Sequence, residues 1–240
     1  MASRWNSFAN SQDSAMFDHN YEPSTAEREA AETHLDRVTK IKLQKHSKTI
    51  IVGENCCGKS LFRQIVRIGG EFKMYHASME IRTSSNPSMG ALSGMAQDLP
   101  WMATSYSTLG CIEQILKQVD RSIAESRAFG ICVDEPEIGL GMGAQRGLAS
   151  WLFKELEKRA NSTLCTLLIT HSPVFVRQGI QHKWDFLDLS MKPVATGNDW
   201  LNKQADENYV IAPEELMAKS SALFVTVRDR LIKNKKKGKK

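Results

Sequence analysis

Eight consecutive residues, Gly53-Glu54-Asn55-Cys56-Cys57-Gly58-Lys59-Ser60, have the G-x-x-x-x-G-K-S spacing of a phosphate-cradling loop, the Walker A pattern. Glycines let the backbone curl until successive N–H groups aim at one phosphate chain. The positive end of a following helix adds to that field. Lys59 is suited to the β- and γ-phosphates, and the Ser60 hydroxyl to Mg²⁺. Leu61 continues the cradle into the helix.

Two further groups of residues fit the same chemistry. Ile131-Cys132-Val133 leads into Asp134-Glu135, an apolar run delivering two adjacent acids, the Walker B pattern. Asp134 there holds Mg²⁺ through water, and Glu135 orients and deprotonates an attacking water. Pro136 biases Glu135 toward an extended backbone. Leu167-Leu168-Ile169-Thr170 then leads into His171-Ser172-Pro173. A histidine just past a buried strand reaches a terminal phosphate and senses its presence.

These groups must be positioned by strands and helices. The apolar runs Thr49–Val52, Phe129–Val133 and Leu164–Thr170 do not alternate, and helical patterns separate them. Such runs argue a mostly parallel sheet covered on both faces. In a parallel sheet, ligands bind at the carboxyl ends of the strands, where all three groups fall. Helices are expected at Leu61–Ile68, Cys111–Ser126, Gln145–Lys158 and Glu214–Ile232. Ser24-Thr25-Ala26-Glu27 is a capping box opening a polar helix to about Val38. Ile41–Leu43 and Met79–Arg82 read as short strands, and Trp184–Leu189 as a weaker one. Residues 83–103, rich in Ser, Gly, Met and Pro, read as a surface loop or a reduced subdomain.

With 240 residues the chain suffices for one medium domain with a real core. Residues 1–22 read as a flexible arm, 23–232 as the domain, and 233–240 as a basic tail. Lys233, Lys235, Lys236, Lys237, Lys239 and Lys240 carry the positive charge; without them the rest is near neutral. That tail suits nucleic-acid phosphates, solubility or a nuclear address. No segment has the length and apolarity of a membrane span, and Met1 to Asn20 lacks a signal-peptide core. Five cysteines without metal-ligand spacing fit reduced thiols of a cytoplasmic protein. Cys56 and Cys57 are either variable loop positions or thiols activated by a helix N-terminus.

Residues 40–190 resemble the ATP-binding-cassette ATPases, and within them the branch of chromosome-maintenance, RecF-like and stand-alone ATPases. Gly53-Glu54-Asn55 with Gly58-Lys59-Ser60, Asp134-Glu135-Pro136-Glu137-Ile138-Gly139-Leu140 and Thr170-His171-Ser172 carry the resemblance. It implies a three-layer α/β phosphate-loop NTPase fold with a reduced helical subdomain. It also implies ATP sandwiched between two subunits, as a homodimer or hetero-oligomer. The family's signature segment falls on Ser105–Gly110, with Ser107 or Thr108 in the serine role and Gly110 beside the phosphate. The usual L-S-G-G-Q is missing there. Gln97 is placed as the glutamine of the family's glutamine loop. Gly139–Gly143 falls at the family's dimer-contacting loop but lacks its Asp.

The expected activity is ATP hydrolysis with Mg²⁺, using Lys59, Glu135 and His171, in a DNA-related process or with an unknown effector protein. An ATP-gated binding module with little turnover, a transporter ATPase subunit and a phosphate-loop kinase are the alternatives.

Overall fold

The computed structural model describes residues 22–55, 57–69, 72–78 and 104–237. In chain order they form α1 (Thr25–Lys40), β1 (Ser47–Val52), α2 (Lys59–Gly69), β2 (Lys73–Ala77), α3 (Thr104–Ala124), β3 (Phe129–Asp134), α4 (Met142–Ala160), β4 (Cys165–Ile169), α5 (Pro173–Gln181), β5 (Asp185–Asp188), α6 (Gly197–Ala205) and α7 (Pro213–Lys237).

The five strands form one sheet in the order β2-β3-β4-β1-β5. Every pairing is parallel, with Thr49 opposite Leu167 and Val133 opposite Leu168. The fold is therefore α/β with an all-parallel sheet. The pleat sends alternate residues to opposite faces. Ile50, Val52, Ile131, Val133 and Leu168 join the core packed by α3, α4 and α5. Ile51, Cys132, Leu167 and Ile169 join a second core with Val38 of α1 and Phe62 of α2. Helices thus cover both faces, which explains why these strands are apolar throughout.

Gly179 of α5 shows how tightly one face closes. A Cβ there would lie 1.6 Å from Ile50 Cδ1. On α1, Ala31, His34, Leu35 and Val38 form the buried stripe, at helical spacing. The Ser24–Glu27 capping box is present at its start.

Several boundaries differ from the sequence expectations. Ile41–Leu43 is not a strand; it leaves α1 as irregular chain. The described edge strand before α3 is Lys73–Ala77, whose polar Lys73 and His76 hide a strand pattern. Met79–Arg82 and residues 83–103 lie outside the described residues, as does the arm before Glu22. The third helix starts at Thr104 rather than near Cys111. The closing helix continues to Lys237, through residues expected to belong to a tail. Helices α5 and α6 had not been expected; Ser172 and Thr196 cap them with side-chain acceptors. Among the described residues, no helix is long and apolar enough to cross a membrane.

Candidate functional site

Because all strands run the same way, their carboxyl ends lie along one edge. That edge collects the loop after β1, the acids after β3 and His171 after β4. Backbone bonds extend the sheet just past each strand. Glu135 N–H donates to the Ile169 carbonyl at 2.8 Å, Thr170 N–H to Ile51 at 3.0 Å and Leu189 N–H to Val52 at 2.9 Å.

The loop from Gly53 to Gly58 depends on both terminal glycines. Gly58 has φ +89°, in the left-handed region that favours glycine. A Cβ on Gly53 would sit 2.4 Å from Cys57 Sγ and 3.3 Å from the Ser190 nitrogen. The chain then enters α2 at Lys59, so the amides of its first turn lack intrahelical acceptors. Lys59 Nζ donates to the carbonyls of Gly53 at 3.2 Å and Glu54 at 3.1 Å. The ammonium therefore sits across the mouth of the cradle. Cys56 lies outside the described residues. Cys57 is buried, and burial pushes its thiol up to about 11 although Lys59 pulls the other way. A thiol so protonated does not fit an activated cysteine.

Lys59, Ser60, Leu61, Asn55, Gly58 and Glu135 line one cleft of about 430 Å³. Its opposite wall is α7. Glu135 Oε1 lies 3.2 Å from His171 Nε2. The loop lysine, the strand-end glutamate and the histidine are thereby brought together. Glu135 is not extended, contrary to the expectation from Pro136. Its φ is +51°, a left-handed conformation costing on the order of 1–3 kcal/mol for a side-chain-bearing residue. The chain turns at once after β3, with Ile138 N–H returning to the Glu135 carbonyl at 3.3 Å. The demands of that turn override the restriction from proline.

Asp134 has a different environment. Its Oδ2 accepts from Arg63 Nη1 at 2.6 Å, and His76 Nε2 lies 4.0 Å away. Burial pushes the Asp134 carboxyl up, but His76 and Arg63 outweigh it and hold it below the ordinary value. Mg²⁺ takes one or two protein ligands beside substrate phosphates and keeps several waters. The exposed Ser60 hydroxyl and the Asp134 carboxylate supply suitable donors. With one oxygen held by Arg63, Asp134 fits a contact through water. Among the described residues, no group of three or more His, Cys, Asp or Glu forms a metal cage of its own.

The signature expectation meets a different geometry. Ser105–Gly110 lies inside the first two turns of α3, so the helix-start amides belong to residues before Thr108. Thr108 is buried and lines a small cavity with Asp134 and Pro136. It therefore faces its own β3. A Cβ on Gly110 would meet nothing within 4 Å. The side chain of Ser107 and all of Gln97 lie outside what the structure describes. Gly139 has φ +76°, and Gly141 caps α4.

Other residues support the site; His34, Arg37, Tyr209, Lys203 and Lys219 had not stood out in the sequence, whereas Glu54, Glu137 and Ser172 lie in its motifs. His34 Nε2 donates to the Cys57 carbonyl at 2.7 Å, and Arg37 Nη2 donates to His34 Nδ1 at 3.2 Å. The donor on Arg37 assigns the ring proton to Nε2. Glu54 accepts from Tyr209 at 2.7 Å, Lys219 at 3.0 Å and Lys203 at 3.3 Å. Burial pushes the Glu54 carboxyl up, but these three partners bring it below the ordinary value. Glu137 Oε1 accepts the His171 N–H at 2.6 Å, and Ser172 Oγ donates to Gln145 Oε1 at 2.7 Å. Arg63, held against Asp134, had a visible signal too, a charge within the apolar stretch after the loop.

No known protein-family model matches the chain, and no curated protein matches it.

Proposed function

We propose that the chain is an ATP-binding-cassette-type ATPase, in which a phosphate-loop NTPase fold hydrolyses ATP to ADP and phosphate. One observation carries this reading: Lys59, Ser60 and Glu135 line a single cleft, with His171 held 3.2 Å from Glu135. Lys59 and the first-turn amides of α2 bind the phosphates. Ser60 and Asp134 would hold Mg²⁺, which would supply neutralisation of the phosphate charge.

Glu135 accepts a proton from the attacking water as the water oxygen bonds to the γ-phosphorus. The bond from that phosphorus to the bridging oxygen breaks, and ADP leaves with the electron pair. His171 steadies the Glu135 carboxylate and sits where a terminal phosphate arrives. Closure of two copies around ATP is the motor step, passed to an effector protein or to DNA through the lysine-rich end.

Substituting Glu135→Gln keeps the shape and removes the base. ATP binding is expected to persist while steady-state phosphate release falls by roughly 10²–10⁴-fold. Unchanged hydrolysis overturns the assignment.

A second reading, an ATP-gated binding module with negligible turnover, is favoured by the Arg63–Asp134 ion pair. A guanidinium on the metal carboxylate holds the site away from a hydrolytic geometry. Wild-type protein that binds ATP and releases no phosphate, with or without DNA, selects this reading.

A further inference from the structure

The wall of the cleft opposite the loop is one face of α7. Ser220, Leu223, Phe224 and Val227 line it, spaced as i, i+3, i+4 and i+7. Three of these are apolar and none is charged. The facing surface is the reverse: among the described residues it carries Asn55, Gly58, Lys59, Ser60 and Glu135, with Leu61 its apolar side chain. A cleft with a phosphate cradle at one side and an aromatic, aliphatic wall at the other has the polarity of a nucleotide. Its volume of about 430 Å³ falls in the range of small-molecule sites.

Helix α7 is held in place from both ends of this face. Lys219 Nζ donates to Glu54 Oε2 of the loop at 3.0 Å, one residue before Ser220. Arg230, three residues beyond Val227, pairs with Glu32 and with Asp36 of α1. Leu223 Cδ2 lies 3.5 Å from where a Cβ on Gly58 would stand, so the helix touches the loop itself. Phe224 is 48% exposed and is the aromatic ring that the described residues place on this wall.

We propose that α7 is the nucleobase seat of the site, with the Phe224 ring as its stacking surface and Leu223 and Val227 as its floor. This rests on the nucleotide reading above and assigns the base-binding residues to the closing helix. Stacking is tolerant of base identity, since every base presents a π-face. Phe224 therefore distinguishes a nucleotide from inorganic polyphosphate more than one base from another.

The test is calorimetric titration of the full chain with ATP and, separately, with inorganic tripolyphosphate. Wild type is expected to bind both, and ATP more tightly. Phe224→Ala is expected to weaken ATP by roughly tenfold, within the range measured for aromatic–base stacks, and to leave tripolyphosphate unchanged. Phe224→Tyr is expected to restore ATP affinity. Lys59→Ala is expected to weaken both ligands.

An unchanged ATP affinity in Phe224→Ala overturns the seat, as does equal weakening of both ligands. A tighter ATP affinity there shows that α7 occludes the cleft, and also overturns it. Wild type binding tripolyphosphate as tightly as ATP overturns the seat but spares the phosphate cradle. Wild type binding neither ligand overturns the nucleotide reading itself.

Discussion

Arg63 Nη1 lies 2.6 Å from Asp134 Oδ2, with the two side chains only 7% and 12% exposed. The pair joins the first turns of α2 to the end of β3. It also neutralises the Asp134 carboxylate, which lines a small cavity beside Thr108, whereas Glu135 is the acid that lines the loop cleft. Removing one partner of a buried pair leaves the other charge uncompensated. Arg63→Met is expected to destabilise the fold by about 3–5 kcal/mol, and Asp134→Asn added to it to recover a large part. Urea midpoints of the two single variants and the double check this. Additive losses would show that the contact carries no coupling.

His76 and Arg63 together set an acid limb at Asp134 against the effect of burial. The folded Asp134 carboxyl titrates below its unfolded value, so its contribution is fully present above about pH 3.9 and is lost as the pH falls through the lower folded value. In Arg63→Met that dependence is expected to flatten. Unfolding midpoints measured between about pH 2.5 and 5 decide it.

His34 ties α1 to the phosphate loop. Burial holds its imidazole below the ordinary value, with Arg37 acting the same way and the Cys57 carbonyl and Glu54 opposing. Protonation would place a second cation against Arg37. Stability from the neutral ring is therefore present above about pH 6.5 and is lost as the pH falls toward the folded value. His34→Gln is expected to remove this dependence and to lower stability by about 1–3 kcal/mol at pH 7.5. Thermal midpoints of both proteins from about pH 5 to 7.5 test it. A slope retained in the variant means another group is responsible.

Packing across the sheet gives an independent prediction. Gly179→Ala puts a methyl 1.6 Å from Ile50 Cδ1, inside the well-packed core between α5 and β1. The expected loss is about 1–3 kcal/mol. Adding Ile50→Val removes the closest atom and is expected to return part of that loss. A double variant no more stable than Gly179→Ala would place the strain elsewhere.

Strand and loop chemistry at this edge was legible because it is local. The apolar runs β1, β3 and β4 each end in residues whose type announces a turn or a site. What could not be read was set by contacts across the chain. Arg63 finds Asp134 71 positions away, and Glu54 is held by Lys219 from 165 positions away. Edge strand β2 was missed because Lys73 and His76 interrupt its apolar pattern. Glu135 was misjudged because the reversal after β3 outweighs the preference that Pro136 imposes. The Ser105–Gly110 segment read as the family's signature ahead of a helix at Cys111, yet it lies inside α3 and Thr108 turns inward toward β3. Nothing local marks α7 as a wall of the cleft.

Glu137 offers the most direct separation of structure from chemistry. Its Oε1 accepts the His171 N–H, while Oε2 is buried with no hydrogen-bond partner among the described residues. Burial pushes this carboxyl above its ordinary value; the His171 N–H and the Thr170 hydroxyl oppose it. A raised folded pKa means the favourable contribution is present below about pH 4.3 and is lost as the pH rises through the folded value. The ionised carboxylate is therefore the less stable form at neutral pH. Glu137→Gln keeps an acceptor for the His171 N–H and carries no charge. It is expected to raise stability by about 1 kcal/mol at pH 7 and to make no difference near pH 4, where the acid is already protonated. Because His171 stays anchored, phosphate release is expected to remain within about threefold of wild type, against the loss of several orders expected for Glu135→Gln. Urea unfolding at the two pH values and a phosphate-release assay check both halves. A variant less stable than wild type at pH 7 would show that the ionised carboxylate is stabilising.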